Sequence, residues 1–215
     1  MKRAVIFDLD GTLADTIADL GAAINVSLAR RDLPLHDLSE YRHMIGDGFR
    51  LLVMRALPPE DRRETMIEEL REEAMAYYGE HCLDRTTPYP GMPELVAALA
   101  ARGVARAVLS NKPNELSRKV VDGLFAAGSF AIVRGETAAF PRKPDPTSAL
   151  DIVARLGVSP AETLYLGDSD VDMATARAAG MTALGAAWGF RGASELNAAG
   201  ADAVLAKPGE LLKYL

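Results

Sequence analysis

The sequence predicts an α/β protein with a Rossmann-like parallel sheet core and a helical cap domain inserted after the first strand. Three features carry that prediction. Short continuous apolar runs recur along the chain, and segments with apolar residues at helical spacing separate most of them. One long stretch, residues 15–82, holds helical patterns with no strand-like run among them. Strands alternating with helices favour right-handed crossovers and a parallel sheet covered on both faces.

The first run, Ala4-Val5-Ile6-Phe7, has no polar alternation and stops at an acidic, glycine-containing turn, as a strand buried on both faces does. In residues 15–82, Ile17, Leu20, Ile24 and Leu28 form one helical stripe, and Phe49, Leu52, Val53 and Ala56 a second. Met66, Ile67, Leu70, Ala74 and Tyr77 form a third in a strongly charged helix. Thr86-Thr87-Pro88-Tyr89-Pro90-Gly91 leads back to the sheet domain. We therefore expect a core of residues 1–14 and 83–215 and a cap of residues 15–82. Further strands are expected at Val104 to Leu109, Ala131 to Val133, Thr163 to Leu166 and Met181 to Leu184, with a weak last one at Ala203 to Leu205. Between them Leu95, Leu99, Leu116, Val120, Leu124, Leu150, Val153 and Leu156 keep helical spacing, and Gly103, Gly157 and Gly180 stand where helices would end.

Composition narrows the function. At 215 residues, 49% hydrophobic and 25% charged, the chain can bury a real core and is neither fibrous nor disordered. Its net charge of −6 repels polyanions, so nucleic acid is a poor partner, although a local site can still take a small phosphate ester. The single cysteine, Cys82, allows no intramolecular disulfide and no cysteine-cluster metal site. The apolar run after Met1-Lys2-Arg3 stops at Asp8, and the longest uncharged stretch, Ala178 to Phe190, is broken by three glycines. Neither suits export or membrane insertion. We expect a cytoplasmic protein, monomer or homodimer, without a membrane partner.

The residues with chemical potential gather at strand ends. Asp8-Leu9-Asp10-Gly11-Thr12 follows the first strand, and Gly167-Asp168-Ser169-Asp170-Val171-Asp172 follows another buried run. In a parallel sheet both would lie on one edge. Carboxylates about 4 Å apart repel by about 4 kcal/mol per pair at an effective dielectric near 20, unless a cation sits among them. An oxygen-only donor set favours Mg2+ over softer metals. Ser110-Asn111 and Lys143-Pro144 also end or follow strands. Taken singly they read as a helix cap and a surface charge. Together with the acids they supply what phosphoryl transfer needs: a nucleophile, a proton donor, a metal, oxyanion donors and a fixed cation.

In this order the four clusters resemble the motifs of the haloacid dehalogenase superfamily over nearly the whole chain. Within it, Ile45-Gly46-Asp47-Gly48, Tyr77-Tyr78-Gly79 and Ser110-Asn111-Lys112-Pro113 resemble the bacterial phosphoglycolate phosphatases. The resemblance implies a Mg2+-dependent phosphatase of a small phosphorylated metabolite, 2-phosphoglycolate foremost. It makes Asp8 the nucleophile that forms an aspartyl-phosphate and Asp10 the general acid and base. Mg2+ would be held by Asp8, Asp168 and the backbone carbonyl of Asp10. Lys143 would neutralise the phosphate, and Thr12, Ser110 and Asn111 would belong to the substrate site. Asp172 would orient Lys143 or metal-bound waters.

Gly46-Asp47-Gly48-Phe49-Arg50 is similar to a cap specificity loop, so Arg50 is a candidate for a substrate carboxylate, although a solvent-facing helix arginine fits equally. Arg134 and Arg142 are weaker candidates. His36, His43 and His81 share no metal-ligand spacing, and Trp188 and Phe190 are expected to pack. Asp170 fits an exposed place in the first turn of a helix. The cap lacks the lysine that phosphonoacetaldehyde hydrolases would need, and carbon–halogen displacement has little use for Mg2+ or Asp10. A β-phosphoglucomutase-like phosphomutase shares the same motifs and stays open. A phospho-acceptor signalling module is disfavoured because its acceptor lies on a middle strand and it carries no cap.

Overall fold

The computed structural model describes all 215 residues. Buried β1 (Ala4–Phe7) is followed by β2 (Ala14–Asp15) and four helices: α1 (Ile17–Ala29), α2 (Leu38–Tyr41), α3 (Phe49–Ala56) and α4 (Glu64–His81). The chain returns through β3 (Thr87–Pro88) and α5 (Met92–Ala101) to β4 (Ala105–Pro113), α6 (Asn114–Leu124) and β5 (Ile132–Glu136). It continues with α7 (Thr147–Leu156), β6 (Thr163–Gly167), α8 (Asp170–Ala178), β7 (Thr182–Ala186), α9 (Gly192–Ala198) and β8 (Ala203–Leu205).

Six strands form one parallel sheet in the order β5-β4-β1-β6-β7-β8. The order reverses at β1, which pairs with β4 on one side and β6 on the other. Loops at the carboxyl ends of strands flanking such a reversal open into a crevice, the usual ligand position in open α/β sheets. The two-residue strand period divides the core. Val5, Phe7, Val108, Leu164 and Leu166 join a large cluster that includes Leu70 and Tyr41 of the helical cap. Ile6, Ala107, Leu109 and Tyr165 face the other way, onto Ile152 of α7 and Met173 of α8.

The α/β class and the parallel core are as the sequence predicts, with three differences of detail. In α4 the buried stripe runs through Ile67, Leu70, Ala74 and Tyr78, so Tyr78 rather than Tyr77 faces inward. Along α7, Ala149, Ile152 and Val153 are buried while Leu150 is exposed. Strand β4 runs past Leu109 to Pro113, with a shift of register against β5 that buries Ser110, Asn111 and Lys112 in succession.

Where the helical segment leaves and rejoins the core, β2 and β3 pair antiparallel, Ala14 with Pro88 and Asp15 with Thr87. One buried carboxylate ties this junction to α1. Asp19 accepts hydrogen bonds from the Arg85 backbone N–H (3.0 Å), the Thr86 N–H (2.9 Å) and the Thr86 hydroxyl (2.8 Å). Replacing it orphans two backbone donors, one of them in a buried contact, at about 1–3 kcal/mol per unsatisfied group. Asp19→Ala is therefore expected to lower unfolding stability by about 2–4 kcal/mol, read as a lower midpoint in urea denaturation.

Candidate active site

Burial brings three carboxylates together at the carboxyl edge of the sheet. Asp8 follows β1, Asp168 follows β6, and Asp172 lies in the first turns of α8. All three are buried, and an oxygen from each lies within 4.8 Å of the others. Lys143 joins them from the segment before α7: its Nζ donates to Asp8 Oδ1 (2.8 Å) and to Asp172 Oδ1 (2.7 Å). One ammonium among three carboxylates leaves surplus negative charge in a desolvated place. The electrostatics show it. Burial, with the charge of Asp172 next, pushes Asp8 up to about 7. Burial and the charge of Asp8 raise Asp168 well above the usual carboxylate range.

The protein holds these groups by aligned donors. Asp168 accepts from the Phe190 N–H (2.7 Å) and the Thr12 hydroxyl (3.3 Å). The Ser169 hydroxyl donates to Asp172 Oδ2 (2.6 Å), which also accepts from the Ser169 N–H (3.2 Å). Gly11, at φ +83°, and Gly189 both lie against the Asp168 carboxylate, and a Cβ on either would overlap it. Asn111 clamps the backbone of Lys143, accepting from its N–H (2.9 Å) and donating to its carbonyl (3.1 Å).

Beside this floor a small pocket lies between the sheet edge and the helical segment. The core contributes Asp8, Asp10, Ser110, Asn111 and Lys112. The helical side contributes Leu20, Ile45, Phe49 and Leu52 with Gly46 and Gly48, and no charged or hydroxyl side chain. Asp10 Oδ1 accepts from the Thr16 hydroxyl (2.7 Å) and is ion-paired with Lys112. Ser110 borders the pocket, and its hydroxyl oxygen accepts from the Lys112 N–H (3.2 Å).

The structure thus brings Asp8, Asp10, Ser110, Asn111, Lys143, Asp168 and Asp172 to one sheet edge. Thr12 is also there, but its hydroxyl is spent on Asp168 below the pocket. Arg50 is elsewhere: on the outer side of α3 it pairs with Glu64 and Glu68, and it does not line the pocket. Those two glutamates, two turns of α4, satisfy its guanidinium. Arg134 pairs with Asp151, and Arg142 donates to the Asp47 carbonyl (3.2 Å). Trp188 packs with a hydrogen bond from its indole to the Thr12 carbonyl (3.0 Å). Lys112, part of the Ser110-Asn111-Lys112-Pro113 motif, is a pocket residue to which the sequence reading gave no role. Its signal was present in the unbroken polar run Ser110-Asn111-Lys112 after a buried strand, where alternation would have turned one of the three to solvent.

The chain is similar to known proteins over most of its length. The sequence profile described as haloacid dehalogenase-like hydrolase matches residues 5–186. A phosphoglycolate phosphatase of Rhodospirillum rubrum is 37% identical over 196 residues, covering 88% of this chain and 81% of that one. A phosphoglycolate phosphatase of Aquifex aeolicus is 34% identical over 213 residues, covering 99% and 96%. A crystal structure of a phosphoglycolate phosphatase candidate from Lactobacillus delbrueckii subsp. bulgaricus superposes with a TM-score of 0.94 at 33% identity, covering 100% and 98%. The chain belongs to the haloacid dehalogenase-like hydrolases. Within that family it is an enzyme, a phosphatase, and its buried acidic cluster offers the oxygen donors a metal ion requires. No helix is long and apolar enough to cross a membrane.

The raised carboxyls make a pH dependence. At pH values above the ordinary aspartate value of 3.8, the unfolded chain has released protons that folded Asp8 and Asp168 still hold. The folded state then binds more protons, so stability falls as pH rises from about 4 to about 7. In metal-free buffer, the urea midpoint is expected to be lower at about pH 8 than at about pH 5.5, and Asp8→Asn to flatten the difference.

Proposed function

We propose that the protein hydrolyses a small phosphomonoester, 2-phosphoglycolate foremost, in a Mg2+-dependent reaction through an aspartyl-phosphate on Asp8. The observation that carries this reading is the position of Asp8: at the floor of the pocket, bonded to Lys143 and within 4.8 Å of Asp168 and Asp172. Such a carboxylate needs its charge offset before it can meet an anionic phosphate. The donor set fits a hard divalent cation, with Asp8, Asp168 and the Asp10 carbonyl as the groups that would hold it. Bound there, Mg2+ would neutralise the phosphoryl oxygens and the attacking carboxylate.

The chain's own groups then divide the work. A carboxylate oxygen of Asp8 forms a bond to phosphorus as the bond to the ester oxygen breaks. Asp10, beside Asp8 on the pocket wall, gives the leaving oxygen its proton, so that glycolate departs as the free alcohol. In the second half Asp10 takes a proton from the attacking water, phosphate leaves, and the Asp8 carboxylate is restored. Lys143 stays fixed by Asp172 and by the Asn111 clamp, so a cation remains beside Asp8 throughout. Ser110 and backbone amides at the strand ends supply donors to phosphoryl oxygens. Residues 15–82 act as a cap that excludes bulk water and limits leaving-group size.

A phosphomutase would have to hold a sugar in this space. The cap side of the pocket, with four apolar side chains and two glycines, gives sugar hydroxyls no side-chain hydrogen-bond partner, which favours water as the acceptor and a short leaving group. Phosphate release from a panel of phosphorylated metabolites should be highest for 2-phosphoglycolate, need no sugar bisphosphate, and disappear with chelator. Asp8→Asn should reduce turnover by at least about 1,000-fold while leaving thermal stability equal or higher, since it removes one of three crowded charges. Near-normal turnover in that variant would end the nucleophile assignment.

A further inference from the structure

We propose that Lys112 is the specificity-determining residue: its ammonium receives a carboxylate carried by the leaving group, one carbon away from the ester oxygen. The inference rests on the phosphatase reading of this site. Among the pocket-lining residues Lys112 is the one cation, because Lys143 lies beneath Asp8 and Arg50 faces the outer side of α3. Lys112 is only 4% exposed, yet it borders the pocket, so its charge is offered to whatever enters and to little else. An ammonium has three donors. Here one is engaged by Asp10, and the Tyr78 ring lies against the group at 4.8 Å. The Tyr78 hydroxyl, buried and without a hydrogen-bond partner of its own, is the other polar group of that corner.

Position then selects chemistry. A leaving oxygen protonated by Asp10 must sit against Asp10, and Lys112 is the immediate neighbour of Asp10. A carboxylate on the adjoining carbon therefore reaches Lys112 without further extension of the substrate. Longer or bulkier leaving groups meet Leu20, Phe49 and Leu52 across the pocket, and neutral ones leave a desolvated ammonium short of a partner. The substrate class is a short phosphorylated hydroxy acid.

The test compares kcat/KM for 2-phosphoglycolate with that for 2-hydroxyethyl phosphate, in which a neutral hydroxymethyl replaces the carboxylate. In the wild-type enzyme the acid should be preferred by about 100-fold, the scale of one buried charge pair. Lys112→Met should slow both substrates, because Asp10 loses its partner, but the preference should collapse to less than about fivefold. Lys112→Arg, which keeps the charge, should retain more than about tenfold. A wild-type preference below about threefold overturns the proposal while leaving the phosphatase reading intact, and needs no variant to fold. An unchanged preference in a folded Lys112→Met overturns it too, reducing Lys112 to a group that only positions Asp10. Absence of phosphate release from any ester would instead remove the phosphatase reading itself.

Discussion

The structure depends on keeping like charges close together out of water. Asp8, Asp168 and Asp172 come from two strand ends and a helix, and nothing but the parallel sheet makes those ends neighbours. Their repulsion is offset in part by Lys143, whose ammonium bridges two of them. The remainder shows as the raised proton affinity of Asp8 and Asp168. The site is thereby held short of charge balance, and a hard cation would restore it. The glycines packed on Asp168 and the N–H of Phe190 prevent the obvious escape, in which the carboxylate swings toward solvent.

The same sheet edge also grips the cap. Asn111 Nδ2 donates to the Gly46 carbonyl (3.1 Å), Arg142 to that of Asp47 and Arg191 to that of Ile45 (3.0 Å). Three core side chains thus hold three successive backbone carbonyls of one cap loop. Asn111 is the most economical of them, since its other bonds fix the backbone of Lys143. Position of the cap loop and position of the site's fixed cation are therefore mechanically linked through one amide group.

Much of this was legible in the sequence because it follows from short-range pattern. Apolar runs ending in acids mark buried strands that stop at a polar edge, and the strand for Ala203–Leu205 was readable even from three residues. The helical segment was legible from its stripes, although the choice between Tyr77 and Tyr78 turned on helix phase that only packing against α1 and α3 fixes. Arg50 misled for a different reason. A glycine-flanked loop followed by an arginine suggests an anion site, but Glu64 and Glu68 approach it from another helix, and that pairing is a tertiary fact. Asp19, linked to Arg85 and Thr86 across 66 and 67 positions of sequence, left no local trace at all.

Lys112 shows how the two kinds of information combine. Along a regular strand Ser110, Asn111 and Lys112 would alternate faces, and one charged or polar side chain would be lost to the opposite face. The register shift between Leu109 and Pro113 abolishes that alternation and turns all three inward. One short stretch of β4 can then supply a hydroxyl for the phosphoryl group, an amide that locks the fixed lysine to the cap loop, and an ammonium for the leaving group. Recognition of both ends of the substrate would come from a single irregular strand in the rigid core, with the apolar cap wall setting only the size of what fits. A specificity group mounted on the same strand as the phosphoryl donors keeps its distance from Asp8 and Asp10 whatever the cap does, because strand geometry, and not cap position, fixes that distance.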